Sequence, residues 1–341
     1  MEAARKEVED KHDKKKQFSM VNPKRAFFNR KWTTLDRRTA AGILFLHLLS
    51  LLAPFHFNWA AFWVAFALYL ITGALGITLS YHRNLAHRSF KLPKWLEYFF
   101  AYLGVQGFQG DPIDWVSTHR YHHQFVDTDR DPHSPMQGFW FSHMTWMFDS
   151  YGLTEKIYPK NLEDFKEREA KRTLSRNWFV GFLKYGRPKN VEDLQKQGFY
   201  RFLRKTYLLH PIALAIVLYK FGGLPFVVWG MGVRLICVLH AALFVNSACH
   251  IWGYRKWNTN DLSKNNWIIG LISFGEGWHN NHHAFEYSAR HGLQWWEFDF
   301  TWWVILLLQA LGLATDVKLP TQLHKQKLAI QYKITSPCDS S

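Results

Sequence analysis

The amino-acid sequence predicts an all-α integral membrane protein, with four transmembrane helices in two hairpins and a helical cap on the cytosolic side. Three observations carry that prediction. Four apolar stretches approach the roughly 20 residues that a helix needs to cross a hydrocarbon core. Turn residues separate them in pairs. Aromatic residues make up 17% of the 341, with 17 Trp, a composition rich in the side chains that anchor membrane interfaces. The mean hydropathy of -0.22 adds that a large polar part accompanies the spans.

Residues 1–38 read as a basic cytosolic tail. They carry 12 Lys and Arg, whereas the links at 54–58 and 220–225 carry one between them, the asymmetry that the positive-inside rule assigns to a cytosolic N-terminus. The first two spans, about 40–57 and 59–79, are joined by Pro54-Phe-His-Phe-Asn58. The second two, about 203–221 and 224–248, are joined by Gly222-Gly-Leu-Pro225. Each hairpin starts and ends on one face, so the segments after the second span, between the second and third, and after the fourth all reach the cytosolic side. Residues 95–108 and 298–313 are apolar but short or flanked by charge. They read as interfacial helices, with Trp302 and Trp303 as anchors. Residues 155–177 mix acids and bases as a solvated helix does. The membrane body covers 39–315, and 316–341 is a C-terminal tail.

Charge and cysteine content exclude several classes. The formal net charge of +15 includes 12 Lys and Arg in the N-terminal tail, where topology explains them, so nucleic acid is not an expected partner. Membrane lipid is. Three cysteines, Cys237, Cys249 and Cys338, are too scattered for a disulfide framework, an iron–sulfur cluster or thiolate-ligated haem.

The chemistry lies in eight histidines in three clusters: His82-Arg-Asn-Leu-Ala-His87, His119-Arg-Tyr-His122-His123 and His279-Asn-Asn-His282-His283. In the second and third clusters the spacing i, i+3, i+4 puts all three imidazoles on one helical face. Imidazoles so crowded are costly unless they share a cation. His82 and His87, at i and i+5, do not share an α-helical face, so either the helix ends between them or the site accepts ligands from different directions. His250, at the end of the fourth span with Asn246 one turn before it, is a ninth candidate. Nine imidazoles exceed one ion's capacity, which argues for two metals with open positions and against a closed structural zinc. His47, His56, His210 and His240 read as packing residues, and His133, His143, His291 and His324 have no ligand spacing.

The clusters and their order, with Gly73-Ala-Leu-Gly-Ile-Thr78, His87-Arg-Ser-Phe90, Asp131-Pro-His-Ser134 and Glu276-Gly-Trp-His-Asn-Asn-His-His283, resemble the membrane-bound stearoyl-type delta-9 fatty acid desaturases, in the plant acyl-CoA and acyl-lipid branch. The resemblance runs from about residue 38 to 313. It implies a di-iron(II) site on His82, His87, His119, His122, His123, His250, His279, His282 and His283, with Asn246 holding a water. It further implies an apolar tunnel for the acyl chain, O2 as co-substrate, and electrons from NADH through cytochrome b5 and its reductase. The implied reaction introduces a cis double bond, at delta-9, into a saturated chain. The opening MEAARKEVEDKHDKKK mixes acid with base and has no apolar core, unlike a secretory or transit peptide. The expected location is therefore the endoplasmic reticulum membrane with both termini cytosolic, and the plastid envelope is the alternative.

Methylenes offer nothing polar to grip, so selectivity must come from tunnel depth and shape. By similarity, Leu70 and Ala74 on the second span are expected to set depth, and Trp115 to line the tunnel. Animal acyl-CoA enzymes of this kind have an Arg-Asp pair where this chain has Ser117-Thr118, and Gly110 replaces a family Asn. Phosphates favour Arg contacts, so both acyl-CoA and acyl-lipid stand as possible carriers. A di-iron hydroxylase is the alternative within enzymes. A metal transporter is the alternative outside them, although the spans offer few ionisable groups beyond Arg234 and His240.

Overall fold

The structure, a computed structural model, describes residues 30–157, 163, 166, 167 and 189–329. It is helical, and among the described residues only isolated β-bridges accompany the helices. Most of the solvated helix expected at 155–177 lies outside the described residues.

Helix α1, Thr34–Leu51, begins inside the segment expected to be a tail. Thr33 and Asp36 form a capping box, and the buried Asp36 carboxylate also accepts the Ser150 N–H at 2.9 Å. A charged first turn is thus satisfied in place, and the body starts earlier than residue 39. After a 3-10 turn at Ala53–His56, Asn58 caps α2, which runs unbroken from Trp59 to Ala86, well beyond the expected end at 79. From Leu70 onward α2 is wound in the wider π register, with hydrogen bonds from i+5 to i. Helix α3, Lys94–Val105, crosses it where glycines meet: a Cβ on Gly76 would lie 2.5 Å from Gly104 N. Helix α4, Pro112–Phe125, starts at a proline behind the Asp111 N-cap.

The expected third span is divided between α5, Gly198–Thr206, and α6, Leu209–Val227. Gly223 (φ 64) breaks the helical path within the predicted Gly222–Pro225 turn, and the chain folds back so that Gly230 packs on Leu218. A second π stretch, Val228–Val233, leads into α7, Arg234–Ile251. By length and composition, two helices are long and apolar enough to cross a membrane: Trp59–Ala86 and the broken Leu209–Ile251. The outward faces of α1, α2 and α6 expose Phe45, Leu48, Trp63, Ile216 and Phe221.

The cap is completed by α8, Trp267–Ile272; α9, His279–Ala284; α10, Phe300–Ala310; and α11, Gln322–Leu328. The two tryptophans expected as paired anchors on α10 point apart, because consecutive helical residues face different directions. Trp303 is exposed, whereas Trp302 is buried against Leu79, Phe90 and Ile305. The body also continues past residue 315. Lys318 exchanges backbone hydrogen bonds with Ser89 and Ala289, and Asn258 N–H donates to Leu328 O. These backbone groups give the segment a fixed place that its polar composition did not disclose.

Candidate metal centre

Four elements bring the histidines together: the end of α2 and its cap (His82, His87), α4 (His119, His122, His123), the end of α7 (His250), and α9 (His279, His282, His283). The pair at i and i+5 is joined by the π register itself. The His87 N–H donates to His82 O at 3.1 Å, and the two rings lie 4.8 Å apart. The helix does not end between them; it widens.

The nine rings divide into two groups. One comprises His82, His87, His119, His123 and His282, the other His122, His250, His279 and His283, and within each group one nitrogen per ring lies within 4.8 Å of all the others. In the first, His282 Nε2 is 3.1 Å from His82 Nε2 and 3.0 Å from His123 Nε2, while His87 Nε2 is 2.7 Å from His119 Nε2. In the second, His250 Nε2 is 3.0 Å from His279 Nε2.

Carboxylates hold the outer nitrogens. Nδ1 of His82 lies 2.6 Å from Glu276, that of His122 3.1 Å from Asp131, and that of His123 3.2 Å from Glu286. Nδ1 of His250 lies 3.2 Å from Asp127, and that of His283 2.9 Å from Asp261. A neutral imidazole has one N–H. Where it is spent on a carboxylate, as the hydrogen bonds of His122 to Asp131 and of His283 to Asp261 allow, Nε2 is left with a bare lone pair turned inward. The buried His283 Nε2 has no hydrogen-bond partner at all. Burial, reinforced by neighbouring imidazoles, holds His87, His119, His122, His279 and His282 well below the ordinary histidine pKa. Burial likewise brings His123 down to about 4. Imidazoles converging in two sets, several of them braced by carboxylates, are the donor chemistry that divalent iron, copper or zinc takes, so the residues fit a pair of metal ions.

Beneath the histidines lies a cavity of about 290 Å³ with largely apolar walls. His82, His119, His122, His279, Glu276 and Asn246 reach it from the metal side. Trp115, stacked on His119 with ring centroids 5.2 Å apart, and Thr118 line it. Three other residues of the expected set are placed elsewhere. Ser117 is buried away from the cavity and donates to Asn190 Oδ1 at 2.5 Å. Leu70 and Ala74 are also off the wall, because α2 in the π register turns Gly73, Ile77, Thr78 and His82 toward the cavity at spacings of four and five. An α-helical period misplaces that face.

The sequence reading passed over Asp127, Asp261 and Glu286, and gave His133 and His291 no part. Both histidines are buried beside the groups: the His133 ring is 4.4 Å from that of His122, the His291 ring 4.4 Å from that of His282, and His291 Nδ1 is 3.1 Å from Glu276. Arg83, fully buried, ties Glu276 (3.0 Å) to Asp299 (2.9 Å) and so fixes the brace of His82. The available signal was an acid within about a turn of a cluster, as Asp127 follows His123 and Glu286 follows His283. His47, His143 and His240 form a separate hydrogen-bonded chain.

The fatty acid desaturase family model matches residues 57–314. The chain is 60% identical over 303 residues to the palmitoyl-monogalactosyldiacylglycerol delta-7 desaturase, chloroplastic, of Arabidopsis thaliana, covering 89% of this chain and 74% of that protein. Delta-9 acyl-lipid desaturase 1 of Arabidopsis thaliana is 51% identical over 330 residues, 97% of this chain and 99% of its own. The acyl-CoA C20 Delta5-desaturase of Anemone leveillei is 53% identical over 302 residues, 89% and 88% of the two chains. A match over three quarters of the sequence, together with two converging sets of imidazoles above an apolar cavity, leads to one conclusion: the chain belongs to the fatty acid desaturase family and is an oxidoreductase that desaturates acyl chains.

Proposed function

We propose that this protein is a membrane-bound, di-iron, delta-9 acyl-lipid desaturase. The observation that carries the reading is the convergence of nine imidazoles, in sets of five and four, at one end of an apolar cavity. One iron would be held by His82, His87, His119, His123 and His282, the other by His122, His250, His279 and His283, with Asn246 holding a water. Bound iron supplies the activation of dioxygen. Two hydrogens leave adjacent methylenes, and with O2, two electrons and two protons they give a cis double bond and two waters. Cytochrome b5 and its NADH-dependent reductase would supply the electrons.

The chain's own residues select and orient the substrate. Burial is worth about 0.8 kcal/mol per methylene, so a filled cavity positions a chain that has nothing polar to grip. Thr118 spends its hydroxyl on Asp114 O at 2.8 Å, which leaves that wall effectively apolar. Positions 117 and 118 themselves carry no cation for a phosphorylated head group, which favours an acyl-lipid over an acyl-CoA carrier. The exposed apolar faces of α1, α2 and α6 support the four-span arrangement, with the histidines on the cytosolic side. We place the protein in the endoplasmic reticulum membrane; a relative named chloroplastic makes the plastid envelope the location to test against it.

Expression of the full chain in a desaturase-deficient yeast tests the reading. Expected are two irons per purified chain and new delta-9 monoenes, formed on intact lipids before they appear in the acyl-CoA pool. A hydroxylated main product, or a chain that desaturates with zinc and no iron, would sink it. A fluorescent fusion of the full chain in plant cells decides the location.

A further inference from the structure

The overall likeness to relatives named for delta-7, delta-9 and delta-5 chemistry spans only 51 to 60% identity, so what sets chain fit must be sought in the cavity wall. Gly73 and Phe274 make a contact there that only glycine allows. A Cβ at position 73 would lie 2.5 Å from Phe274 Cε2 and 3.2 Å from its Cζ, whereas real Cβ atoms essentially never come within 3.0 Å. Both residues line the cavity, so the ring that covers Gly73 is itself part of the wall.

The backbone fixes that ring. Phe274 has φ +59, a region bulky side chains rarely occupy, which persists only where surrounding contacts over-determine it. Those contacts are present. Ser273 N–H donates to Ile269 O and Gly275 N–H to Gly270 O, each at 2.8 Å, and Phe274 O accepts from Thr301 N–H at 3.2 Å. The ring also packs against Tyr69, with centroids 5.0 Å apart, and the Tyr69 hydroxyl donates to Ile272 O at 2.5 Å. Position along α2 then gives the contact its meaning. Of the α2 residues on the wall, namely Gly73, Ile77, Thr78 and His82, Gly73 is the one farthest from the metal-facing end.

We infer that Gly73 and Phe274 act as one specificity-determining pair, which closes the acyl cavity on the side away from the histidines and fixes how much chain fits beyond the reacting carbons. The inference rests on the proposed occupancy of the cavity by an acyl chain. Loss of the ring lengthens the room; a methyl group on Gly73 drives the ring into it. The two changes therefore move selectivity in opposite directions, and combined they offset each other.

The test is to express the full chain, Phe274→Ala, Phe274→Leu, Gly73→Ala and the Gly73→Ala/Phe274→Ala double variant in the same yeast, feeding palmitate, stearate and icosanoate. Products are quantified by length and bond position, with iron content measured on each purified variant. Phe274→Ala should raise the ratio of longer to shorter monoenes at least threefold, Gly73→Ala should lower it, and the double variant should return toward the unsubstituted ratio. Phe274→Leu should shift it in the direction of Phe274→Ala but less, and is read in its place if the alanine variant does not accumulate. An unchanged product profile in iron-loaded Phe274 variants would overturn the pair while leaving the desaturase reading intact. Single variants that shift in the same direction would also overturn it. Absence of any monoene from the unsubstituted chain would overturn the occupancy reading, and the pair with it.

Discussion

Two regions meet at the cavity and are built on different principles. At the metal end, five of the nine imidazoles have their outer nitrogen against a carboxylate, and one of those carboxylates is in turn clamped by the buried Arg83. Along the wall, Gly73, Ile77, Thr78 and Phe274 are fixed by helix register and contact. The first region is specified by chemical type, and one lost partner leaves a charge or lone pair buried. The second is specified by shape, and a lost methyl changes fit before it changes anything else. Changes to the histidines should therefore act almost all-or-none, whereas changes to the wall should be graded.

The largest effect tests the first half of that contrast. His122→Ala and His282→Ala, one from each group, should each lower desaturation by more than 100-fold, because the proposed site works only with both ions, while the protein still inserts in membranes. Iron content and product yield on the same membranes check it. Wild-type turnover in either variant would break the assignment of that ring.

The carboxylates come next, and they sharpen the contrast within the metal end. Asp131 and Asp261 are buried, whereas Glu286, on His123, has 58% of its side chain exposed. Outer partners of metal-bound histidines are typically worth about 10–100-fold in metal affinity. Asp131→Asn and Asp261→Asn should fall within that range, and Glu286→Gln well below it, since water replaces an exposed carboxylate. Iron retained after dialysis against graded chelator separates the two cases. Equal losses would mean that burial of the brace is irrelevant.

Acidification probes the same region without mutation. Burial brings His123 and His291 to about 4 and His133 to about 3, below the roughly 6.5 of an unfolded histidine. Between those values the unfolded chain binds more protons than the folded one, so stability is complete above about pH 6.5 and declines as pH falls toward 4. The Tm of the iron-free full chain should drop between pH 7 and pH 5. A Tm constant across that window would mean that these rings are not neutral in the fold.

What the sequence disclosed follows the same division. The two i, i+3, i+4 triplets were legible because residue type and spacing state the chemistry directly. His250 was legible because it ends an apolar stretch beside Asn246. The π register of α2 was not, since nothing in Leu70–Ala86 marks a helix that winds five residues to a bond. That register joins His82 to His87 without a helix end between them, and it turns Leu70 and Ala74, which were chosen by similarity, off the wall. Asp261, His133 and His291 were missed because single residues carry no spacing, and only folding sets them beside their partners. The packed body runs beyond the expected 39–315 at both ends for a related reason: the charged turn at Asp36 and the polar segment through Leu328 are held by hydrogen bonds that composition does not reveal.

The smallest expected effect is also the cleanest test of the wall's register. Leu70 and Ala74 share an α-helical face and would line the cavity if α2 kept that period, in which case Ala74→Leu would shorten the preferred chain. In the π register both lie off the wall, and Ala74 is fully buried against neighbouring helices. Ala74→Leu should then cost about 1–3 kcal/mol in stability through overpacking, read as a lower Tm, while the ratio of longer to shorter products stays unchanged. Leu70→Ala, at a half-buried site, should leave that ratio unchanged too, with a smaller loss of stability. A shift in chain length from either variant would restore the α-helical face to the wall and would remove the geometric reason for assigning that role to Gly73 and Phe274.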